Sequence, residues 1–275
     1  MNKTIIIHLI CPDQRGIISQ LTSVLHKADN NVLSIEQHVD GENNQFYIRL
    51  LVEFPETVKS SFPKKELLSL NKKMCGNMCF FEPSKKINVA ILGTKEKEPI
   101  YDLLIKNKSG DLNCNIPIII SNHNDLKKIA SQFNINFLKT NSDDEIITVL
   151  NKNKIDLIVL ARYMQIIPDK IVRPYVNNII NIHHGFLPAF KGARPYHQAH
   201  KKGVKIIGAT AHYVTSELDE GPIISQDVAP INHKHSIKDI IQLGREIERN
   251  VLYKAVKAHL EHKIVVYNNK TILFN

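Results

Sequence analysis

Residues 178–192, NIINIHHGFLPAFKG, join an alternating strand pattern to a loop punctuated by glycine and proline. Apolar and polar residues alternate up to His183, so a strand here sends Asn181 and His183 to the same face. Gly185, Pro188 and Gly192 then predict a loop that leaves the carboxyl end of the strand. Open α/β sheets bind their ligands at that end, so this stretch predicts both a sheet and the place of its site.

A repeated alternation of strands and helices surrounds this stretch. Nearly continuous apolar runs predict buried strands over residues 87–93, 116–121 and 155–161, and helical periodicity predicts helices over 101–108, 129–133, 145–151 and 237–260. Residues 264–267 and 271–274 predict a closing hairpin around Asn268-Asn269. The alternation favours an α/β, Rossmann-like domain with a mainly parallel sheet and helices on both of its faces.

The first 80 residues have a different organisation. Strands are predicted over 4–10, 32–39 and 46–54, and a helix begins at Ile17 after the turn at 12–16. This βαββ order predicts the first part of a ferredoxin-like βαββαβ domain. The polar, proline-containing segment 82–86 reads as a linker, so we expect domains at 1–83 and 84–275.

Composition excludes several classes of protein. The net charge of +9 comes from scattered lysines rather than from a basic patch, so we expect no nucleic-acid partner. The four cysteines have neither disulfide nor metal-knuckle spacing, which predicts a reducing, cytoplasmic location. No apolar run reaches membrane-spanning length, so no membrane partner is expected. Residues 92–99 contain one glycine and no Lys-Ser or Lys-Thr pair, which disfavours a dinucleotide or a P-loop site.

Three side chains carry the chemistry expected of an acyl-group site: Asn181, His183 and Asp219. An amide donor and a charged imidazole can stabilise an oxyanion, and a carboxylate can hold the imidazole and accept a proton from water. Taken singly, Asn181 could cap the loop, His183 could be a core histidine and Asp219 a turn residue. His184 points away from His183 if the strand continues, so we expect it to pack or to lie behind the residues that contact the substrate.

Three segments together carry a family resemblance: 160–167 (LARYMQII), 181–192 and 208–221 (GATAHYVTSELDEG). They resemble the folate-dependent formyltransferases. The leading domain and the second histidine, His184, resemble more closely the deformylase branch of that family. The resemblance implies hydrolysis of 10-formyltetrahydrofolate to tetrahydrofolate and formate, which supplies purine synthesis and balances the one-carbon folate pools. It places the formyl carbonyl between Asn181 and His183 with Asp219 beside them, and it implies no metal or other cofactor.

The resemblance also implies a folate slot. Its residues are Leu160, Met164, Gln165, Ile166, Ile167 and His212. Gln165 stands where many formyltransferases carry an arginine that meets the folate glutamate, and Arg162 or nearby lysines could replace it. We expect His212 to lie close to the site, where it could orient the loop that carries Asp219. Alternatively, the apolar members of this set are ordinary core residues.

Residues 13–17, DQRGI, resemble the first loop of the ACT domain, a small module that binds amino acids in regulated enzymes. The resemblance implies an effector site at Asp13, Gly16 and Ile17, with methionine or glycine as the effector and a homo-oligomer as the assembly. The alternative for this segment is a plain helix-entry turn.

Departures from the family pattern at Gly185, Lys191 and Arg194 bear on rate and selectivity. Two other functions stay open at this point. A formyltransferase acting on an amine would share the three site residues, and an amino-acid sensor would need little catalysis.

Overall fold

The computed structural model describes residues 2–55, 62–189 and 195–275, so Lys191 and Arg194 lie outside the described residues. The chain forms two compact units. The first comprises Met1–Lys85, Glu261–Tyr267 and Ile272–Asn275, and the second comprises Lys86–Leu260 and Asn268–Thr271.

The first unit confirms the ferredoxin-like prediction. Its elements are β1 (Asn2–Pro12), α1 (Ile17–Lys27), β2 (Asn31–Asp40), β3 (Gln45–Pro55), α2 (Lys64–Lys73) and β4 (Asn77–Phe81). The strands form an antiparallel sheet in the order β2-β3-β1-β4. The βαββαβ order requires α2 and β4, but the sequence pattern predicted no residue range for either of them.

Side-chain periodicity explains how this unit packs. Ile5, Ile7 and Leu9 alternate along β1, and Leu21 and Leu25 follow each other by one turn of α1. All five belong to one buried apolar cluster, so one face of the sheet packs on the helices.

A C-terminal hairpin, β12 (Ile264–Tyr267) and β13 (Lys270–Leu273), has the predicted position. Residues 261–267 and 272–275 group with the first unit, whereas the sequence analysis had assigned them to the 84–275 domain. The cause is packing, because Val265 and Phe274 form a buried cluster with Tyr47 of β3. We call residues 261–267 and 272–275 the hairpin stem, and residues 268–271 the hairpin tip.

The second unit confirms the prediction of a mainly parallel α/β sheet. Its strands are β5 (Ile87–Leu92), β6 (Cys114–Ser121), β7 (Asn136–Lys139), β8 (Leu157–Leu160), β9 (Ile179–His183), β10 (Ile206–Tyr213) and β11 (Ile223–Pro230). Their order is β11-β10-β9-β8-β5-β6-β7. The five strands from β9 to β7 run parallel, while β10 is antiparallel to both β9 and β11.

The helices of the second unit are α3 (Glu98–Lys108), α4 (Lys127–Gln132), α5 (Asp143–Lys152), α6 (Asp169–Val172), α7 (Pro195–Lys202) and α8 (Ile237–Leu260), with a 3-10 turn at Arg173–Tyr175. The predicted helix 237–260 matches α8 at both ends. Throughout the described ranges, no helix combines the length and the apolar character that a membrane span requires.

Candidate active site

Two neighbouring strands bring the polar side chains of the site together. β9 pairs with β10 in antiparallel register, with Asn181 opposite His212 and His183 opposite Thr210. Residues two apart on a strand share a face, and so do directly opposed residues on paired strands. Asn181, His183, Thr210 and His212 therefore lie on one face of the sheet, at the carboxyl end of β9.

Asp219 reaches this face from the loop between β10 and β11. Its Oδ2 lies 3.2 Å from Nδ1 of His183, and its Oδ1 lies 3.6 Å from Nε2 of His212. The side chain is 11% exposed. The hydrogen bond with His183, and then His212, hold the pKa of the Asp219 carboxyl far below its ordinary value. Asp219 is therefore ionised at neutral pH.

His212 is held by bonds at both of its ring nitrogens. Nδ1 lies 2.9 Å from the carbonyl oxygen of Tyr213, which can only accept, so the ring hydrogen is on Nδ1. In the neutral ring Nε2 then accepts from the Nδ2 amide of Asn181, 3.1 Å away. This bond fixes which end of the Asn181 amide faces His212. The second hydrogen on Nδ2 of Asn181 stays available to a ligand.

His183 presents one nitrogen without a partner. Nδ1 faces Asp219, whereas Nε2 is buried and has no hydrogen-bond partner within the described part of the chain. A buried polar atom without a partner is costly, so a functional site explains it better than packing does. The histidine also borders a cleft, where a ligand can satisfy Nε2.

The cleft beside these groups has a volume of about 340 Å³. Its walls include every residue predicted for the folate slot: Leu160, Met164, Gln165, Ile166, Ile167 and His212, together with Asn181, His183 and Asp219. Residues 214–218, in the loop that carries Asp219, form a further wall of the cleft that was not predicted from the sequence. We call this loop the acid loop. A short segment of this kind carries no periodic signal.

Two apolar side chains on the cleft are unusually exposed. Met164 is 57% exposed and Ile166 is 78% exposed. Apolar side chains gathered at a concave surface mark a binding site. Gln165, beside them, accepts a hydrogen bond from the hydroxyl of Tyr163 at 2.7 Å. The alternative that these residues form ordinary core is wrong for Met164 and Ile166.

Arg162 does not take the place suggested for it at the folate glutamate. Its guanidinium lies 3.4 Å from the carboxylate of Glu248 on α8, and its side chain is 18% exposed. Tyr196 of α7 donates a 2.6 Å hydrogen bond to the same carboxylate. A buried carboxylate needs charged and polar partners, and Glu248 finds them in Arg162 and Tyr196. These contacts link the segment after β8 to the helices α7 and α8.

His184 lies next to His183 and not on an unrelated surface. The two ring centres are 5.5 Å apart, and the ring of His184 lies 6.1 Å from that of Tyr196. Burial, followed by the charges of Arg162 and His183, lowers the pKa of His184 to about 3. His184 is therefore neutral at physiological pH, and it borders the same cleft as His183.

Gly185 begins a loop that Thr210 holds in place. The Thr210 hydroxyl donates to the carbonyl oxygen of Gly185 at 2.9 Å and accepts from the amide of Leu187 at 3.0 Å. Thr210 is fully buried. The loop after β9 thus keeps its course without help from a side chain at position 185.

The predicted effector residues lie at the β1–α1 junction of the first unit. Gly16 has a left-handed backbone with φ of 84° directly before α1, and Ile17 is buried. The amide of Asp13 donates to the carbonyl oxygen of Asn44 at 3.0 Å. The carboxylate of Asp13 and the backbone of Gly16 stay accessible, because both residues are exposed.

No metal centre is evident in the described ranges. Residues 2–55, 62–189 and 195–275 contain no group of three or more His, Cys, Asp or Glu side chains arranged to hold a metal ion. The four cysteines are free thiols, two buried and two exposed.

Comparisons with known proteins assign both units. The sequence model of the formyl transferase family matches residues 87–256, and that of the ACT domain matches residues 3–78. A formyltetrahydrofolate deformylase from Synechocystis sp. is 42% identical over 99% of both chains, and one from Escherichia coli K12 is 37% identical over 98% of this chain and 97% of its own. The crystal structure of a formyltetrahydrofolate deformylase from Pseudomonas syringae superposes with a TM-score of 0.94 at 34% identity, covering 100% of this chain and 95% of the other.

Proposed function

Since the chain belongs to the formyltetrahydrofolate deformylase family and hydrolyses 10-formyltetrahydrofolate to tetrahydrofolate and formate, we propose that Asn181, His183 and Asp219 carry out that reaction. The enzyme has a role in purine and one-carbon metabolism that is consistent with this reaction. The observation that carries the assignment of residues is the buried, unpartnered Nε2 of His183 beside an ionised carboxylate.

Asn181 and His183 polarise the formyl carbonyl. The free hydrogen on Nδ2 of Asn181 and an Nε2 hydrogen on a protonated His183 both donate to the formyl oxygen. Nδ1 of His183 can donate to the carboxylate of Asp219 over 3.2 Å, which fixes the orientation of the ring. One such donor aimed at a developing oxyanion is worth about a hundredfold to a thousandfold in rate.

Asp219 acts on the attacking water. The water oxygen forms a bond to the formyl carbon while its proton passes to the carboxylate, a contribution of about a hundredfold to ten-thousandfold. The oxyanion then collapses, the bond from carbon to N10 of the folate breaks, and the proton passes to N10. Tetrahydrofolate and formic acid result, and formic acid releases the remaining proton of the water to solvent to give formate, so atoms and charges balance without a further reactant.

The folate is assigned to the cleft walled by Leu160, Met164, Gln165, Ile166 and Ile167. The exposed apolar side chains of Met164 and Ile166 would cover the flat pterin, and their burial on binding would stabilise the complex. His212 contributes through Asn181, whose amide it holds. We propose that the reaction needs no metal or other cofactor, because hydrogen-bond donors are at hand to polarise the carbonyl.

The ACT domain suggests that the first unit binds an amino acid. We assign that effector to Asp13, Gly16 and Ile17, with methionine or glycine as the candidates and a homo-oligomer as the working assembly. The exposed carboxylate of Asp13 can receive an ammonium group. Four free cysteines are consistent with a cytoplasmic location.

The test is to measure formate and tetrahydrofolate from 10-formyltetrahydrofolate with purified protein, without an amine acceptor and without added metal. Asp219→Asn serves as the control. Equal amounts of both products from the native protein, and loss of both in the variant, would support the assignment. Formate that appears only after an amine is added would favour transfer. Folate binding without any product would favour a sensor.

A further inference from the structure

The acid loop that carries Asp219 has a constrained backbone. Asp219 itself has a left-handed φ of 58°, a conformation that few residues other than glycine adopt without cost. At Gly221, a Cβ atom would lie 1.8 Å from the carbonyl oxygen of Tyr213, so the loop passes tightly against β10. A loop in this conformation needs contacts that hold it there.

The hairpin tip supplies two such contacts. Nδ2 of Asn269 donates a 2.9 Å hydrogen bond to the carbonyl oxygen of Glu220, the residue that follows Asp219. The hydroxyl of Thr271 donates to the carbonyl oxygen of Ile223, on the other side of Gly221. The two bonds therefore hold the acid loop on both sides of its tightest point.

A second cavity, of about 470 Å³, lies beside the acid on the side of these bonds. Asp219, Glu220 and Gly221 form one part of its wall, and Asn269, Lys270 and Thr271 form another. Among the described residues, Asp219 alone lines both this cavity and the folate cleft. The Asp219 side chain therefore separates the two cavities, and contacts on the side of the second cavity are needed to hold its loop.

We propose that Asn269 and Thr271 are positioning residues for the hydrolysis, which hold the acid loop so that Asp219 stays against His183. This inference rests on the proposed function, because it assigns a task to the catalytic carboxylate. A displacement of about 1 Å in a reacting group can reduce a rate by about a hundredfold. Neither residue touches the folate cleft, so their effect is confined to the chemical step.

The turn offers a matched pair of variants for the test. Asn268 and Asn269 both have left-handed φ, 46° and 59°, and both are exposed. Glycine accepts this conformation, so Asn268→Gly and Asn269→Gly keep the turn equally well. Only Asn269→Gly removes a hydrogen bond to the acid loop. Combined with Thr271→Val, it is expected to lower kcat about tenfold and to change KM for 10-formyltetrahydrofolate less than twofold.

Conservative variants at the second position separate positioning from folding. Thr271→Ser keeps a hydroxyl and is expected to recover most of the rate lost in Thr271→Val. If the Asn269→Gly, Thr271→Val protein turns over like the Asn268→Gly control, the proposal is wrong. Equal losses of kcat in Thr271→Ser and Thr271→Val would also overturn it, and so would a change in KM without a fall in kcat.

Parallel measurement of Asp219→Asn keeps this inference distinct from the assignment of the acid. If Asp219→Asn retains turnover, the role of Asp219 fails, whatever the tip variants do. If Asp219→Asn loses turnover while the tip variants keep a normal kcat, only the positioning role of Asn269 and Thr271 fails.

Discussion

Nδ1 of His183 lies 3.2 Å from Oδ2 of Asp219, while Nε2 of the same ring is buried and has no hydrogen-bond partner among the residues that the structure describes. The carboxylate can therefore fix the orientation of the ring, and the free nitrogen can face a substrate. A histidine that only packed in the core would have both nitrogens satisfied.

The first prediction concerns the charge of Asp219. Asp219→Asn keeps the shape of the side chain but removes the negative charge and the proton acceptor. We expect kcat to fall at least about a hundredfold, with folate affinity nearly unchanged. Steady-state kinetics and equilibrium binding of tetrahydrofolate would measure the two effects. A simultaneous loss of binding would instead indicate that the loop has lost its structure.

The second prediction concerns the amide of Asn181. Asn181→Ala removes a donor to the oxyanion, and kcat should fall about a hundredfold to a thousandfold. Asn181→Asp has the same shape without the donor, and its charge repels an oxyanion, so we expect it to be at least as slow. A fast Asn181→Asp variant would remove the amide from the mechanism.

The third prediction concerns His212. His212→Phe fills a similar volume but cannot accept from Nδ2 of Asn181, so the amide loses its fixed orientation. We expect about a fivefold to tenfold loss in kcat, which corresponds to about one hydrogen bond. The double variant with Asn181→Ala should be no slower than Asn181→Ala alone. Additive losses in this double-mutant cycle would show that His212 acts independently of the amide.

The fourth prediction concerns stability. Glu248 is 3% exposed, and burial raises the pKa of its carboxyl, while Arg162 opposes that shift. Glu248→Ala leaves the guanidinium of Arg162 and the hydroxyl of Tyr196 without their partner, which should cost about 3–5 kcal/mol of unfolding free energy. Chemical denaturation would measure the loss. Glu246→Ala, an exposed position on the same helix, is the control and should change little.

The fifth prediction concerns pH and the first unit. Burial lowers the pKa of His8 to about 4, the hydrogen bond with the backbone carbonyl of His262 opposes that shift, and the charge of Arg49 adds to it. A histidine with a lowered folded pKa binds fewer protons when folded than when unfolded, where its pKa is about 6.5. Its stabilising effect is therefore complete above pH 6.5 and is lost as pH falls toward 4.

Urea denaturation at pH 7 and pH 4.5 would measure this dependence. We expect His8 to account for up to about 3 kcal/mol of the loss. Burial also lowers the pKa of His262 to about 4, so His8→Gln should reduce the pH dependence without abolishing it. An unchanged dependence in His8→Gln would show that other groups control it.

Periodicity and spacing were sufficient to predict much of the fold. The 3.6-residue repeat of 237–260 arises because one face of the helix is buried, so α8 lies where it was predicted. The strand β9 also lies where the pattern of 178–183 predicted it, although residues on both of its faces are buried. The short edge strand β7 and the polar helix α7 were not located, because neither has a long apolar face. Their positions depend on the neighbouring elements against which they pack.

The residues of the site also fall into two groups, those that the sequence pattern predicts and those that only the tertiary fold brings together. Asn181 and His183 could be paired from the sequence, since residues two apart on a strand share a face. The partner of Arg162 could not, because Glu248 is 86 positions away and only the tertiary fold brings the two together. The contact of Asn269 with the acid loop could not be predicted either, because the Asn268-Asn269 pair is already explained by the turn that it forms.

The division of the C-terminal hairpin has a consequence for synthesis of the chain. Its stem completes the cluster around Tyr47 in the first unit, and its tip holds the acid loop in the second. Residues 261–275 follow every other element of both units along the chain, so neither unit can finish folding before this segment has been synthesised. An incomplete chain lacking these residues would have an exposed Tyr47 and an unsupported acid loop, which makes it a substrate for chaperones or proteases rather than a partly active enzyme.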